Sequence, residues 1–301
     1  MPGEPKTPMP DELTFRPFSS MEEYEACTKL QEEVWGEGFS EKVSAAILMI
    51  ANRLGGLAAG AFDEGGSLQG FVFGLTGVVD GRLVHWSDML AVRREGRDLG
   101  LGTRLKLYQR TVLLERGVRE MRWTFDPLQG RNAHVNFSKL GIVCREYVES
   151  MYGETDSPLH RGVGTDRLVA IWDMASERVE ARLKGGGGGP SMEDLSRLPP
   201  LSQLPQLLPT IARGPFPSPG APILGLDDPL LLLAVPGVVD AIMEGDLPLA
   251  IRWREATREL FLHYFSRGYE AREFLRGDGL SYYLLVGPGE GGEVGPGGIS
   301  P

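Results

Sequence analysis

Hydrophobic and polar positions alternate in some stretches of the chain and recur at helical spacing in others. Alternation over about 4–8 residues is typical of a half-buried strand, and i, i+3, i+4 spacing is typical of an amphipathic helix. Along the chain these patterns first predict a strand in "LTFRPFSS", a helix from Met21 to Val34 and a helix in "SEKVSAAILMIANRL". They then predict strands in "GGLAAGAF", "LQGFVFGLTGVV" and "RLVHWSDMLAV", a helix from Gly102 to Arg116 and a strand in "REMRWTFDP". Up to residue 178 they finally predict a short helix in "RNAHVNFSKLG" and strands in "IVCREYVESMY" and "DRLVAIWDM". Because Asp-Gly between two such strands is a hairpin signal, the predicted class is α+β with a mixed, largely antiparallel sheet flanked by helices.

Glycine and proline divide the chain into five parts. Residues 1–12 and 288–301 are predicted to be disordered, 13–178 form the main domain, 179–226 a Gly/Pro-rich linker, and 227–287 a C-terminal α+β extension. The extension contains a predicted buried strand "PLLLLAVP", a helix "PLAIRWREATRELFLHYFSRG" and a closing hairpin, "YEAREFLR" with "LSYYLLV". "FSRGYEAREF" repeats the helix end, glycine and alternating strand of "FSKLGIVCREY", so the extension is a partial second copy or the echo is a coincidence.

Composition excludes several classes of partner. The formal net charge is −10 over 301 residues, and so acidic a chain repels phosphate backbones, which argues against a nucleic-acid partner. The longest apolar run, "PLLLLAVPGVV", is too short and too proline-broken to cross a bilayer. Cys27 and Cys144 are predicted to be reduced, packed thiols, and the first residues do not resemble a signal peptide, so a cytoplasmic protein is expected.

The stretch "RDLGLG" places Gly100 and Gly102 between a strand and a helix. Glycine in a helix costs about 1 kcal/mol relative to alanine, whereas bare amides at a helix N-terminus suit an anion such as a pyrophosphate. A dinucleotide-binding site would have an acidic residue further along the chain that binds the ribose, and none follows at that spacing. A nucleoside-triphosphate-binding loop would continue with Lys-Ser or Lys-Thr, which is also absent from the sequence here. The motif therefore predicts a pyrophosphate site of another kind.

"RDLGLG" resembles the R/Q-x-x-G-x-G/A loop of the GNAT superfamily of acyl-CoA-dependent N-acyltransferases. A wider resemblance covers most of the chain, through "WTFDPLQGRNAHVNFSKLG", "MYG", "DRLVAIWDM" and "RWREATREL", and is to a predicted-acetyltransferase branch with a C-terminal extension. Some proteins of that branch are thought to place succinyl groups on amino acids. The resemblance implies a GNAT-like sheet, acetyl-CoA or succinyl-CoA as co-substrate, and a small amine as acceptor.

The resemblance also assigns residues to the coenzyme. The strand backbone at Leu90 and Val92 would pair with the pantetheine, and the Leu90 amide would meet the thioester carbonyl. The pyrophosphate would be held by the loop residues Arg97, Asp98, Leu99, Gly100, Leu101, Gly102 and Thr103. Asn132 and Asn136, one turn apart, would bind pantetheine amides or substrate, with local capping as the alternative.

An amine acceptor needs a base, and the chain offers two carboxylates. Strand alternation predicts that Trp86, Asp88 and Leu90 share one face, which makes Asp88 the first candidate, with fixing a neighbouring loop as the alternative. Asp126 is the second candidate, with capping of the following turn as the alternative.

A donor for the departing thiolate is harder to assign. The tyrosine that many GNAT proteins use corresponds to Phe137 here, which leaves Tyr147, Tyr152 or an unassisted thiolate. His85 and His134 are more often structural than relays at such positions.

Three functions compete at this stage. The first is an N-acyltransferase that moves an acetyl or succinyl group to a small primary amine in a ternary complex. The second is a catalytically inactive coenzyme A-binding module, and the third is a phosphate- or nucleotide-binding protein of unrelated fold. A carboxylated donor or acceptor would need an arginine, for which Arg82, Arg122 and Arg131 are candidates, and a homodimer is left open.

Overall fold

The computed structural model describes residues 13–96, 99–153, 162–185, 200–277 and 279–289. Two compact units divide between Trp123 and Thr124. The sequence predicted a main domain from 13 to 178, whereas this division lies inside the strand Glu120–Phe125. Residues 1–12, most of the predicted tail, and Arg97 and Asp98 of the glycine loop lie outside the described residues.

Unit 1 contains five strands and three α-helices among its described residues. In chain order they are β1 (Thr14–Pro17), α1 (Met21–Trp35), α2 (Ala45–Arg53), β2 (Leu57–Phe62), β3 (Leu68–Val79), β4 (Arg82–Val92), α3 (Leu101–Glu115) and β5 (Glu120–Phe125), the last of which carries the chain into unit 2. This order is the predicted one.

The strands of unit 1 lie in the order β1-β2-β3-β4-β5. All neighbours pair antiparallel except β4 and β5, which are parallel. The two faces bury separate cores: one packs against α1 and α2 and includes Cys27 and Leu48, and the other packs against α3 and includes Leu101 and Leu105. The buried side chains of β4 therefore pack against one of two different helical layers.

Unit 2 begins in β5 and contains, in order, α4 (Gly130–His134), which continues as a π-helical turn (Val135–Leu140), β6 (Val143–Val148), β7 (Arg167–Asp173), α5 (Glu177–Lys184), β8 (Thr210–Arg213), β9 (Phe216–Pro219), β10 (Leu230–Pro236), α6 (Val239–Gly245), α7 (Leu247–Ser266), β11 (Glu270–Arg276) and β12 (Leu280–Val286). Strands β7-β6-β11-β12-β10 lie side by side with antiparallel pairing, and β8 and β9 form a separate hairpin. The predicted class, α+β with largely antiparallel pairing, is confirmed.

The linker predicted over 179–226 is wrong for the described part of that stretch. Helix α5 extends into it as far as Lys184, and β8 and β9 lie within it. Leu204 packs in a core cluster with Leu232 and Leu284, and the Leu207 amide donates to the Leu232 carbonyl at 2.8 Å. Leucines of the predicted linker thus pack in the core, although the prolines of this segment had predicted an irregular structure.

The internal echo corresponds to a repeated arrangement. In each stretch a helix ends at a glycine with positive φ, Gly141 at 75° and Gly268 at 84°, and an antiparallel strand pair follows. The first strands of the two pairs are neighbours, with Ala271 opposite Cys144. This agrees with a partial second copy. Among the described residues, no helix is long and apolar enough to cross a membrane.

Candidate functional site

Strand β4 loses its partner on one side halfway along its length. Its parallel pairing with β5 covers only Val84 to Trp86, whereas its antiparallel pairing with β3 continues to Val92. Among the described residues, the stretch from Ser87 to Val92 therefore has a strand neighbour on the β3 side alone. Such an edge offers unpaired N–H and C=O groups to an extended ligand.

The direction of the free groups follows from one hydrogen bond. The Arg93 amide donates to the Gln69 carbonyl of β3 at 2.9 Å. Backbone groups alternate in direction along a strand, so Ala91 also faces β3, while the N–H and C=O of Leu90 and Val92 face the open edge. These are the two residues whose backbone the family resemblance assigned to the pantetheine.

A β-bulge interrupts β4 at Asp88. Gly74 of β3 pairs with Ser87 and the next residue, Phe73, pairs with Met89, which leaves Asp88 without a partner. A Cβ atom at Gly74 would lie 2.3 Å from Nε2 of His85, so only glycine fits opposite the bulge. Bulges re-aim side chains and are frequent next to active sites.

The bulge makes one prediction wrong. Leu90 packs in the α3-side cluster and Met89 in the α1–α2 cluster, while His85 and Ser87 bond to α3. Trp86 alternates with His85 and Ser87 and so faces away from α3. Because the extra residue at 88 shifts the alternation, Trp86 and Leu90 lie on opposite faces rather than on the predicted common face.

The Asp88 carboxylate is open to solvent at this bulge. Desolvation by the surrounding protein raises the pKa of Asp88 above its ordinary value, and the charge of Glu41 adds to the rise. A carboxylate whose pKa moves toward neutrality is better suited to accept a proton. These features keep Asp88 as a base candidate.

Helix α3 begins at a glycine in a left-handed conformation. Gly100 has φ +74° and precedes Leu101, the first helical residue. A Cβ atom at Gly102 would lie 3.4 Å from Cδ2 of Leu90, and Leu90 and Val92 pack in one cluster with Leu101. The structure thus brings the open edge of β4 and the first turn of α3 together, with Leu99 exposed beside them. The amides of that first turn, including Thr103, lack helical acceptors.

A chain of polar side chains lies buried behind the bulge. Lys106 of α3 donates to Ser87 Oγ at 2.7 Å, and Ser87 donates to Gln109 Oε1 at 2.9 Å. The Gln109 amide nitrogen then donates to Nε2 of His85 at 2.9 Å, so the His85 proton is on Nδ1 and is donated to Thr76. These bonds hold the residue next to Asp88 in place.

Two titratable side chains of this hydrogen-bonded network, His85 and Lys106, have pKa values below their ordinary ones. Burial, helped by the charge of Lys106, lowers the pKa of His85 to about 3, so His85 stays neutral at physiological pH and is structural. Burial also lowers the pKa of Lys106 to about 7. Its ammonium lies 4.0 Å over the Trp123 ring, a contact that stabilises the charged form.

The other candidate side chains lie in unit 2. Asp126 accepts a hydrogen bond from the Leu128 amide at 2.8 Å through one oxygen and from Arg254 at 2.7 Å through the other. The capping role that the sequence left open is confirmed. Both oxygens have donors, which counts against Asp126 as a free base.

Tyr147 is also committed to a partner, because its hydroxyl donates to Asp166 at 2.7 Å. Burial raises the pKa of Tyr147 well above its ordinary value, although the neighbouring Arg254 opposes the rise. A phenol that is so hard to ionise is a poor proton donor to a thiolate. Tyr152 is exposed and makes a 3.1 Å hydrogen bond with Thr124.

The candidate residues of the helix between β5 and β6 differ in their exposure to solvent. Asn136 is buried and its amide donates to the side chain of the exposed Asn132 at 3.4 Å, so the two residues contact each other as their spacing predicts. Phe137, where the resemblance stated from the sequence expects a tyrosine, is fully buried and packs edge-on against Phe125 and Tyr283. The π-helical turn that contains Asn136 and Phe137 is a conformation often found at functional sites.

The arginine candidates from the sequence differ in their surroundings. Arg122 is buried and pairs with Glu120 at 2.5 Å, whereas Arg82 and Arg131 are exposed. The sequence missed Arg254, a buried arginine of α7. Its spacing from Ala250, Thr257 and Phe261 follows the buried stripe of the helix and could have indicated it.

No protein-family model matches the chain, and a search of curated proteins finds no match. Solved structures similar to the chain include the NatC complex bound to Gag peptide and CoA (16% identity, TM-score 0.43, 54% of this chain and 98% of the other). They also include the ribosomal-protein-S18-alanine N-acetyltransferase from Escherichia coli (16% identity, TM-score 0.42, 55% of this chain and 97% of the other). Arabidopsis thaliana NAA60 in complex with a bisubstrate analogue is a third (13% identity, TM-score 0.42, 53% of this chain and 98% of the other). At these identities and TM-scores the likenesses carry no argument about function, which therefore rests on the geometry of this chain.

We predict that Lys106→Met makes the folded protein more stable at pH 6, by about 1–3 kcal/mol in the free energy of unfolding. The Lys106 pKa is lower in the folded protein than its usual 10.5, so the unfolded chain binds more protons between about pH 7 and 10.5 and stability rises with pH there. Urea unfolding from pH 6 to 10.5 measures both effects. Lys29→Met, at an exposed position of α1, is the control; an equal pH dependence in wild type and Lys106→Met would contradict the prediction.

Proposed function

We propose that the protein is a GNAT-type N-acyltransferase that moves an acetyl or succinyl group from coenzyme A to a primary amine. The observation that carries the proposal is the unpaired edge of β4 at Leu90 and Val92 beside the glycine-led start of α3. An extended amide-containing arm and a pyrophosphate are the two parts of coenzyme A that such a pair of surfaces fits. The order of elements from β1 to β7 agrees with the family resemblance.

The binding step uses the backbone more than the side chains. The pantetheine amides pair with the free groups of Leu90 and Val92, as an added antiparallel strand does. The pyrophosphate takes the first-turn amides of α3, where the helix dipole favours negative charge. Glycine at 102 leaves those amides open, and Gly100 supplies the left-handed turn that starts the helix.

The chemical step needs a base and a stabiliser of developing negative charge. Asp88 takes a proton from the ammonium form of the acceptor, directly or through water, and its raised pKa suits that role. The amine then attacks the thioester carbonyl, whose oxygen receives the Leu90 amide as the tetrahedral intermediate forms. The C–S bond then breaks with its electron pair going to sulfur. Because Tyr147 is committed to Asp166, we propose that Tyr147 is not the acid and that the remaining extra proton of the attacking nitrogen passes, directly or through water, to the departing sulfur.

The acceptor we propose is a small molecule such as an amino acid, and the compartment is the cytoplasm, where the free Cys27 and Cys144 would stay reduced. A second candidate function is a coenzyme A-binding module without turnover. The burial of Phe137 at the family tyrosine position favours it, because it removes the usual proton donor.

Turnover separates the two candidates. We predict that acetyl-CoA or succinyl-CoA mixed with pooled amino acids releases free thiol above the rate without enzyme, and that mass spectrometry detects the N-acylated product. Coenzyme A binding without product would favour the inactive module. Neither binding nor product would contradict the coenzyme A site itself.

We predict that Gly102→Glu weakens coenzyme A binding by at least about tenfold, because two unit charges about 4 Å apart near a protein surface repel by roughly 4 kcal/mol. An acidic residue in the first helical turn stabilises the helix, so the variant should stay folded. Titration calorimetry with coenzyme A measures the change.

Gly102→Ala is the matched control, since its Cβ atom meets only the flexible end of the Leu90 side chain, at 3.4 Å. We expect its affinity within about threefold of wild type, and unchanged affinity in both variants would overturn the site. Gly100 is less suitable for this test because its φ of +74° strains any other residue.

We predict that Asp88→Asn lowers kcat by about 10²- to 10⁴-fold and leaves coenzyme A affinity unchanged. The same variant should unfold at the same or a higher temperature, because the fold raises the Asp88 pKa and so disfavours its ionised form. The wild-type rate should rise with pH through the Asp88 pKa, and this limb should be lost in the variant.

Glu41→Gln supplies a second measurement, since Glu41 is a charge that raises the Asp88 pKa. Removing it lowers that pKa, so the acidic limb should move to lower pH while the maximal rate persists. If the rise of the rate with pH stays at the same pH in Glu41→Gln and is still present in Asp88→Asn, the titrating group is not Asp88.

A further inference from the structure

Lys106 of α3 lies at the point where β4 and β5 separate. The last backbone pair that joins these strands is Trp86 with Arg122. Ser87 and Trp123 follow that pair, one on each strand, and the Lys106 ammonium contacts both of them. It donates to Ser87 Oγ at 2.7 Å and lies 4.0 Å from the centre of the Trp123 ring. A side-chain bridge thus begins where the backbone pairing ends.

Helix α3 connects this bridge with the open edge of β4. Gly102 lies one turn before Lys106, and a Cβ atom at Gly102 would lie 3.4 Å from Cδ2 of Leu90. Gln109 lies about one turn after Lys106 and accepts a hydrogen bond from Ser87 at 2.9 Å. Because residues three or four apart share a helix face, one face of α3 contacts β4 from Ser87 to Leu90. A change at Lys106 therefore acts on the stretch of strand that leaves its edge open.

The charge of Lys106 is not needed for packing. Its side chain is 8% exposed, and none of the described carboxylates forms an ion pair with it. Beyond the contacts above, its ammonium lies 3.9 Å from the sulfur of Met121, which is a weak acceptor. An unpaired charge in such surroundings destabilises the fold, and an apolar side chain of similar length would fill the same space. A stability cost of this kind is typical of residues that are kept for function.

We propose that Lys106 is a positioning residue, which holds β4 and β5 at the separation that the pantetheine arm of coenzyme A needs. Attraction of its ammonium to the face of the Trp123 ring fixes one strand, and its hydrogen bond to Ser87 fixes the other. Ser87 precedes Leu90 by three residues, so its placement sets where the open edge begins. Lys106 is buried and acts through these strands, and the inference rests on the proposed function.

The first experiment divides coenzyme A into its two parts. Lys106→Met should weaken the binding of coenzyme A and of pantetheine, which has no phosphate, by about 3- to 30-fold, the range that a cation–π contact supports. Binding of adenosine 3′-phosphate 5′-diphosphate, which has no arm, should be unchanged. Titration calorimetry at pH 6 measures the three affinities. Loss of affinity for the arm-free nucleotide alone would overturn the inference, because Lys106 would then attract the phosphates and not position the arm.

Two comparisons separate positioning from loss of folding. Lys106→Met is expected to be more stable than the wild type at pH 6, so weaker binding by this variant is not a sign of unfolding. In turnover it should raise KM for the acyl-CoA more than it lowers kcat, because the arm and not the reacting carbonyl loses its support. Lys29→Met, at an exposed position of α1, should match the wild type in both constants. A lower kcat at unchanged KM in Lys106→Met would contradict the positioning role.

The pH dependence of pantetheine binding gives a readout that a purely structural lysine would not change. Burial lowers the pKa of Lys106 to about 7. Around it, His85 of β4 stays neutral, Arg116 of α3 is a second positive charge near His85, and β5 contributes the uncharged Met121 and Trp123. Wild-type affinity should fall between pH 6 and 8.5, as the ammonium loses its proton and its attraction to the ring. Lys106→Met should show no such fall, and an equal pH dependence in the two proteins would overturn the inference.

Hydrogen exchange of the unliganded protein keeps this inference separate from the proposed function. Amides of residues 87–91 should exchange faster in Lys106→Met, whereas those of β2, away from the point of separation, should exchange no faster. If the wild type binds no coenzyme A while the variant exchanges faster at 87–91, the bridge is supported and the proposed function is contradicted. If both proteins bind coenzyme A equally and exchange equally, the coenzyme site is supported and the role of Lys106 is overturned.

Discussion

The end of pairing between β4 and β5 at Trp86 is the constraint on which the rest of the site depends. A strand in the middle of a sheet normally has both edges satisfied, and unpaired backbone groups are costly unless water or a ligand takes them. Here, in the described part of the chain, no second strand pairs with Leu90 and Val92, which lie beside the first turn of α3. The same divergence thus creates both the extended edge and room for the amides of the helix start.

The bulge at Asp88 and the polar chain behind it hold this geometry. Because Gly74 has no side chain, the His85 ring fits beside it. Gln109 forms hydrogen bonds with both His85 and Ser87, the residue before the bulge. An apolar core could not fix the rotation of Ser87 in this way, because hydrophobic packing is not directional. The cost is a buried lysine, Lys106, whose charged form the core disfavours. The exposed base candidate Asp88 therefore follows a residue whose position is held by buried hydrogen bonds.

Local patterns predicted the order of elements well, because periodicity and turn signals belong to short stretches such as Asp80-Gly81. The bulge at Asp88 could not be predicted, since it depends on a glycine in the neighbouring strand. Arg254 was missed because its partner Asp126 is 128 residues away in the sequence. Helix α5 was missed because it is short and highly charged, although Ser176 caps it as a sequence signal would suggest.

The C-terminal extension contributes to the burial of Phe137. Phe137 stands where the resemblance stated from the sequence expects a tyrosine, and its ring packs at 5.6 Å from that of Tyr283 in the extension. Tyr283 in turn contacts Phe261 of α7, and Phe261 stacks on Tyr147. A hydroxyl at position 137 would be buried in this aromatic cluster and would need a partner there, at a cost of about 1–3 kcal/mol without one. The extension thus makes position 137 part of an aromatic core.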